Sequence, residues 1–431
     1  MKILWFSNSI NHHRYGYSTL SEAITEGLIK FGHKIVYFGM QSVENPYYDE
    51  KGRLMIGLKA NTYATDIITD IIKVFNPDLI ISALDLFPIG GAELANLIEK
   101  TGKPWIHHVT INTEPLFLPL VHGFNKPQAL IAPCRENLRI LTEYNNGIYL
   151  NKSLLITHGV DTTIFNDDDK NKIKKEIRQK FNLSENCFVV ISVFRNNSVI
   201  SKGQEQLFES WKKFVEKNNL APEQAKLLVL SDPADLGGTN LIALRDVISM
   251  TNYINFVWFK ESSKGIEPTF ENDKKGSPHF FTYTFNPEEM SKLYKMADLH
   301  LTTSLGESFC LPMLEAAACG IPSIASDFIG TKNLMDDLLL QDFKINKGTI
   351  ITLTFYSKQF FHDTDAVAEK ITEFYKLDEN KKEELSKMVS ARACGLYSWD
   401  LIIPQWINLI NQFENIIKQK KLDFNNRSLG L

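Results

Sequence analysis

Strand-like apolar runs alternate with amphipathic helical runs along this chain, and the alternation starts again at mid-length. "KILWFSN", "HKIVYFGM", "PDLIISALD", "KPWIHHVTI", "QALIAPC" and "SLLITHGV" read as buried strands, with helical patterns such as "STLSEAITEGLIKF" and "TDIITDIIKVFN" between them. Strand, helix, strand is the pattern of parallel pairing, because the crossover returns each strand in the same direction, and right-handed crossovers build a doubly wound sheet. After the polar segment "DTTIFNDDDKNK" the pattern restarts with "CFVVISVF", "AKLLVLSD", "INFVWFK", "HFFTYTF", "DLHLTTS" and "PSIAS". The expectation is an α/β chain with two Rossmann-like, doubly wound domains joined by that polar linker. A length of 431 residues also exceeds what one ordinary core accommodates. The polar stretch "ESSKGIEPTFENDKKGSPHF" reads as a loop or small excursion, and the tail after Gln419 reads as frayed.

Composition narrows the function classes. A formal net charge of −4 argues against a protein that coats nucleic acid. The five cysteines, Cys134, Cys187, Cys310, Cys319 and Cys394, form no CxxC pair and read as small buried hydrophobes in a reducing compartment. The chain starts directly on a strand pattern, and no apolar run reaches the roughly 18 residues of a membrane span. The expected location is cytoplasmic.

The chemistry concentrates in "SLGESFCLPMLEAAACGIPSIASD", where Glu307 and Glu315 flank seven residues that are mostly apolar. Pro312 suits a first helical turn, Ala316 to Ala318 favour helix, and Gly320 with Pro322 stops it. Glu307 is therefore expected on a loop and Glu315 in the helix's first turn, both at the carboxyl edge of the sheet. Open α/β sheets bind ligands at that edge, and a helix amino terminus favours an anion. Ionised carboxylates only accept hydrogen bonds, so two of them beside an anion site suit the hydroxyls of a ribose and a sugar. "RNNSVISKG" adds Arg195 at a strand tip and Lys202 before a helix beginning near Gln204, a cradle for a diphosphate. A nucleotide-sugar fits the combination. Among candidates elsewhere, alternation sends His107 and His108 to opposite faces of their strand, while Asn112 and Glu114 carry a weaker signal. No His, Cys, Asp or Glu cluster has metal-ligand spacing, so neither metal nor cofactor is expected.

With these residues the chain resembles a family-four retaining glycosyltransferase of GT-B fold. The resemblance rests on "YKMADLHLTTSLGESFCLPMLEAAACGIPSIASD", "VFRNNSVISKG", "HGVDTTIF" and "YSWDLIIPQW". It implies two Rossmann-like domains facing a central cleft, with an acceptor-side domain at 1–165, a donor-binding domain at 166–397, and a terminal helix at 398–431 crossing back to the first domain. It also implies transfer of a sugar from a nucleotide-diphosphate sugar to an acceptor hydroxyl. In that scheme Glu307 contacts the donor sugar, Glu315 the ribose, and Arg195 and Lys202 the diphosphate. Ser308, Phe309, Cys310 and Leu311 complete the donor loop, His108 is a further catalytic candidate, and Gly16 and Tyr17 form the acceptor loop. Two departures stand out: "RYGYST" offers only Gly16 where paired glycines are common, and Cys310 stands where glycine is common. A nucleotide-sugar-binding scaffold subunit and a glycosyltransferase acting on a nucleic-acid base are the alternatives, and the sequence leaves the acceptor and the oligomeric state open.

Overall fold

A computed structural model describes residues 1–8, 16–40, 45–57, 64–86, 88–196, 201–235, 237–262, 265–270, 285–352 and 357–428. The chain divides into two compact units. One is built chiefly from Met1–Gly159 and Trp399–Leu431, the other from Val160–Leu353 and Lys358–Ser398.

In the first unit, the described strands are β1 (Lys2–Asn8), β2 (Lys34–Met40), β3 (Tyr47–Tyr48), β4 (Leu54–Ile56), β5 (Leu79–Ala83), β6 (Trp105–His108), β7 (Ala129–Ala132) and β8 (Ser153–Leu155). They lie in the order β3-β4-β2-β1-β5-β6-β7-β8. Every pairing is parallel except β3 with β4. Both faces are covered, so the strands are apolar almost throughout rather than alternating: Ile3, Leu4, Trp5 and Phe6 are all fully buried. The order reverses between β1 and β5, which makes the loops after these strands the natural ligand edge.

The second unit follows the same plan. Its strands are β9 (Phe188–Val193), β10 (Ala225–Leu230), β11 (Ile254–Ser262), β12 (Gly265–Phe270), β13 (Leu299–Leu301), β14 (Ser323–Ser326) and β15 (Lys344–Ile345). The order is β12-β11-β10-β9-β13-β14-β15, with the reversal between β9 and β13. A separate antiparallel pair, β16 (Gly348–Thr352) and β17 (Lys358–His362), precedes the helix Thr364–Tyr375.

Two expectations are refined. Where a loop or small excursion was expected at 261–280, the described part is an excursion: β11 runs on to Ser262 and Gly265–Phe270 returns antiparallel to it as β12. Strand pairing there satisfies main-chain groups whatever the side-chain polarity. Residues 271–280, and the "HFFTYTF" strand apart from Phe285, lie outside the described residues. The tail after Gln419 continues as helix, within Trp399–Ser428. That helix packs its Ile402, Trp406 and Ile410 into the first unit's core, with Trp406 6.0 Å from Trp5 between ring centroids. Among the described residues no helix is long and apolar enough to cross a membrane.

Candidate functional site

Both sides of the β9/β13 reversal carry the residues expected to bind a donor. β9 ends at Val193, and the chain passes through Arg195, which is exposed, to the buried Asn196. Asn196 holds this edge together. Its Nδ2 donates to the carbonyls of Asp232 at 2.8 Å and Thr239 at 2.7 Å, while its Oδ1 accepts from Gln204 Nε2 at 3.1 Å and the Thr239 N–H at 3.0 Å. The tip of β9, the loop after β10 and the start of the helix Gln204–Lys217 are thus tied by one amide. Sequence reading passed over Asn196 because only the fold brings its three partner residues together; its place directly after Arg195 was the available signal.

Lys202 sits in the turn before that helix. Its Nζ lies 2.5 Å from Glu307 Oε1, with the two side chains 22% and 21% exposed. Burial opposes the ammonium charge, but the Glu307 carboxylate outweighs it and holds the Lys202 pKa above its ordinary value. Lys202 is thus half-buried in an ion pair. Next to it, Gly203 adopts φ +62, and a Cβ there would lie 2.0 Å from the Thr303 carbonyl oxygen. Only glycine combines that left-handed backbone with so close an approach.

The close approach sets the loop after β13. Thr303 Oγ1 donates to the Gly203 carbonyl at 2.8 Å, Ser304 Oγ to the Ser201 carbonyl at 3.2 Å, and the Leu305 N–H to the same carbonyl at 3.1 Å. The other side is held by the Gly330 N–H, donating to the Glu307 carbonyl at 2.9 Å, and by the Phe360 N–H, donating to the Leu305 carbonyl at 2.9 Å. Phe309 is buried and meets the edge of Tyr397 at 5.7 Å, while Ser308 is half-buried. Cys310 adopts φ 80 and ψ 71, a glycine-like conformation. Burial, and then the Glu307 carboxylate, push its thiol up to about 12, so it is neutral at physiological pH.

The helix Leu311–Ala318 starts here with Pro312 in its opening turn. Glu315 is the fifth residue of that helix, so the expectation of a first-turn glutamate is corrected by one position. The half-buried Glu315 accepts a hydrogen bond from Tyr294 Oη at 3.0 Å. Met313 and Leu314 are fully buried whereas Leu311 is only half-buried, and the apolar run between the glutamates thus anchors the helix through its middle. This edge can offer two carboxylates, two cations and a helix amino terminus to one ligand. Among the described residues no three His, Cys, Asp or Glu side chains are grouped as a metal ion would require.

In the first unit, Gly16 is exposed at the start of the helix Gly16–Lys30, and Arg14 and Tyr15 of the expected loop lie outside the described residues. Tyr17 Oη donates to Asp85 Oδ1 at 2.7 Å and bonds Thr110 Oγ1. These contacts join the start of the helix Gly16–Lys30 to the loops after β5 and β6, and Asp85 and Thr110 carried no separate sequence signal. His107 and His108 do face opposite ways. His107 Nδ1 bonds Ser82 Oγ at 2.8 Å in the core, and His108 Nε2 lies 3.1 Å from His158 Nε2. Asn112 is exposed, and Glu114 accepts from Arg139 at 2.7 Å.

Residues 260–390 match the family model described as Glycosyl transferases group 1. Among solved structures, the chain is similar to sucrose-phosphate synthase from Thermosynechococcus elongatus, with TM-score 0.71 and 16% identity, covering 96% of this chain and 100% of that one. It is similar to a UDP-forming alpha,alpha-trehalose-phosphate synthase from Burkholderia vietnamiensis, with TM-score 0.65 and 11% identity over 95% and 98% of the two chains. The catalytic domain of Starch Synthase IV from Arabidopsis thaliana, bound to ADP and acarbose, matches with TM-score 0.60 and 13% identity over 96% and 99%. No curated protein matches the chain in sequence. The fold is GT-B, with two Rossmann-like units, and the matches support glycosyl transfer as the general activity.

Proposed function

We propose that this GT-B chain, whose second unit carries a group 1 glycosyl transferase segment, moves a sugar from a nucleotide-diphosphate sugar to an acceptor hydroxyl with retention at the anomeric carbon. The observation that carries the donor class is the Lys202–Glu307 pair, placed with Arg195 and the helix start at Leu311 on the strand-order reversal of the second unit. Lys202 has three N–H donors and Glu307 two oxygens, so each can keep the other and still take a ligand group. Lys202 and Arg195 then meet diphosphate oxygens, Glu307 accepts from sugar hydroxyls, and Glu315 accepts from the ribose. Ser308, Phe309, Cys310 and Leu311 form the loop wall on which the sugar and diphosphate rest. In the first unit, Gly16, Tyr17 and His108 belong to the acceptor-side edge.

Retention rests on the resemblance of the glutamate motif to retaining enzymes. The bond from the anomeric carbon to the diphosphate breaks, the bond to the acceptor oxygen forms on the same face, and the acceptor proton passes to the departing phosphate oxygen. Catalysis then lies in positioning and in cationic stabilisation of the leaving diphosphate by Arg195 and Lys202, without a resident metal.

Calorimetry against a panel of nucleoside diphosphates and their sugars tests this reading. Glu315→Gln is expected to weaken the free nucleoside diphosphate, since a ribose contact exists before and after transfer. Glu307→Gln is expected to lower turnover by more than nucleotide affinity, because its contact is to the transferred sugar. Equal loss of nucleotide affinity in both variants overturns the division of roles; unchanged turnover in both overturns the assignment of the site.

A further inference from the structure

We propose that the second unit carries an effector site for a small organic cation, in the cavity where the helices Gln204–Lys217 and Leu241–Val247 meet the start of Thr364–Tyr375. The cavity measures about 310 Å3, at the lower end of the range for small-ligand pockets. Phe208, fully buried, gives it an apolar floor, and Leu244 and Ile248 line it from the second helix. Glu205 and Glu209 line it from the first, one turn apart, a spacing at which like charges repel. Neither carboxylate has an ion-pair or hydrogen-bond partner among the described residues. The lysine one turn beyond them, Lys213, is turned to Thr364 Oγ1 and Asp365 Oδ2, each at 2.8 Å. Gln206 adds an independent observation: it lines the same cavity, is only 6% exposed, and its side-chain amide makes no hydrogen bond among the described residues. A polar group so nearly buried normally has a partner. An ammonium group answers all three side chains, since Glu205, Glu209 and the Gln206 Oε1 atom are acceptors and an ammonium brings only donors. The body of such a ligand is apolar, to cover Phe208, Leu244 and Ile248.

The two helices that form the cavity also end at the donor edge. Gln204–Lys217 starts directly after Lys202 and Gly203, and Leu241–Val247 starts from Asn240, next to Thr239. Gln204 and Thr239 both hydrogen-bond to Asn196, the neighbour of Arg195. A cation held between the helices fixes their spacing, and with it the geometry of the amide tie behind Arg195 and Lys202. Coupling of this kind is reciprocal, so the cation and a nucleoside diphosphate shift each other's affinity by the same factor. The coupling rests on the proposed donor site; the cation site itself does not.

Calorimetry on the full chain tests the site with three probes of one shape: tryptamine, which is cationic, indole-3-ethanol, which is neutral, and indole-3-acetate, which is anionic. The expected result is saturable binding of one tryptamine per chain, at least tenfold tighter than either of the other two. The double variant Glu205→Gln/Glu209→Gln is expected to lose tenfold or more in tryptamine affinity. Glu379→Gln/Glu383→Gln removes the same net charge from another exposed helix face and is expected to leave that affinity unchanged. Saturating tryptamine is expected to change the affinity of the tightest-binding nucleoside diphosphate threefold or more, and to lose that effect in the Glu205→Gln/Glu209→Gln variant. No saturable tryptamine binding, or equal binding of tryptamine and indole-3-ethanol, overturns the site from the wild type alone, whether or not a variant folds. Full tryptamine affinity in a folded Glu205→Gln/Glu209→Gln variant also overturns it. Tryptamine binding that leaves nucleoside diphosphate affinity unchanged overturns the effector role. Carboxylate-dependent tryptamine binding to a chain that takes no nucleoside diphosphate sinks the proposed donor site and leaves the cation site standing.

Discussion

At the scale of single residues, the second unit concentrates its chemistry where main-chain bonds leave no slack. Lys202 and Glu307 come from loops more than a hundred positions apart, and the Thr303, Ser304 and Leu305 bonds to Ser201 and Gly203 hold those loops together. The pair is only about one-fifth exposed, so the cost of desolvating both charges offsets most of their attraction and its net contribution to stability is small. Its contribution to a diphosphate-bearing transition state is larger, because the charge there develops against a preorganised cation. Lys202→Ala is expected to cost about 2–4 kcal/mol in donor turnover while the melting temperature falls only slightly. Steady-state kinetics beside a thermal melt checks this. A large drop in melting temperature with normal turnover would make Lys202 a structural residue only.

At the scale of elements, the helix Trp399–Ser428 shows how a segment distant in sequence completes the first unit. Its Ile402, Trp406, Ile407 and Ile410 join Trp5, Leu20, Ile24 and Leu28 in one buried cluster. Trp406 is fully buried, and its indole N–H has no hydrogen-bond partner among the described residues. Truncating a buried tryptophan removes transfer energy and leaves a cavity, so Trp406→Ala is expected to destabilise the first unit by about 3–5 kcal/mol. Trp406→Phe should cost much less, since it keeps most of the apolar volume and removes a polar group that gains nothing from burial. Chemical denaturation of both variants decides. Equal losses would mean that the N–H matters, and no loss in Trp406→Ala would mean that the helix is not needed for the core.

At the scale of the whole molecule, both units bury neutral histidines. Burial takes His107 to about 3, His108 to about 4, and His300 and His362 to about 3. A group whose folded pKa lies below its unfolded value binds fewer protons when folded, so its stability contribution is intact above the unfolded pKa and is lost as pH falls toward the folded one. For an unfolded histidine near 6.5 the loss begins just below neutrality, and at pH 5 it amounts to about 2 kcal/mol for each such group. The melting temperature is therefore expected to fall steeply between pH 7 and pH 5, before carboxylates titrate. A flat or rising melting temperature over that interval would show that these rings are solvated.

The amino-acid sequence by itself determined the class of fold, because long apolar runs alternating with amphipathic ones can be buried only as parallel strands under helices, and that period is local. It also determined where the donor chemistry concentrates, since Glu307, Glu315, Arg195 and Lys202 stand beside strand ends and helix starts, and those too are local signals. Only the tertiary structure decided which of these groups touch. The Lys202–Glu307 pair, the Asn196 tie and the His108–His158 bond each join loops far apart in the chain, and no periodicity encodes such a contact. The short strands β3, β4 and β12 were illegible for a related reason: they are held by main-chain bonds to a neighbouring strand, and every residue offers a main-chain acceptor, so such bonding leaves little mark on side-chain pattern. Glu315 shows the division within one residue. Its helix could be read from Pro312 and the alanines, but its hydrogen bond to Tyr294 exists only because the helix Pro287–Lys295 packs beside Leu311–Ala318.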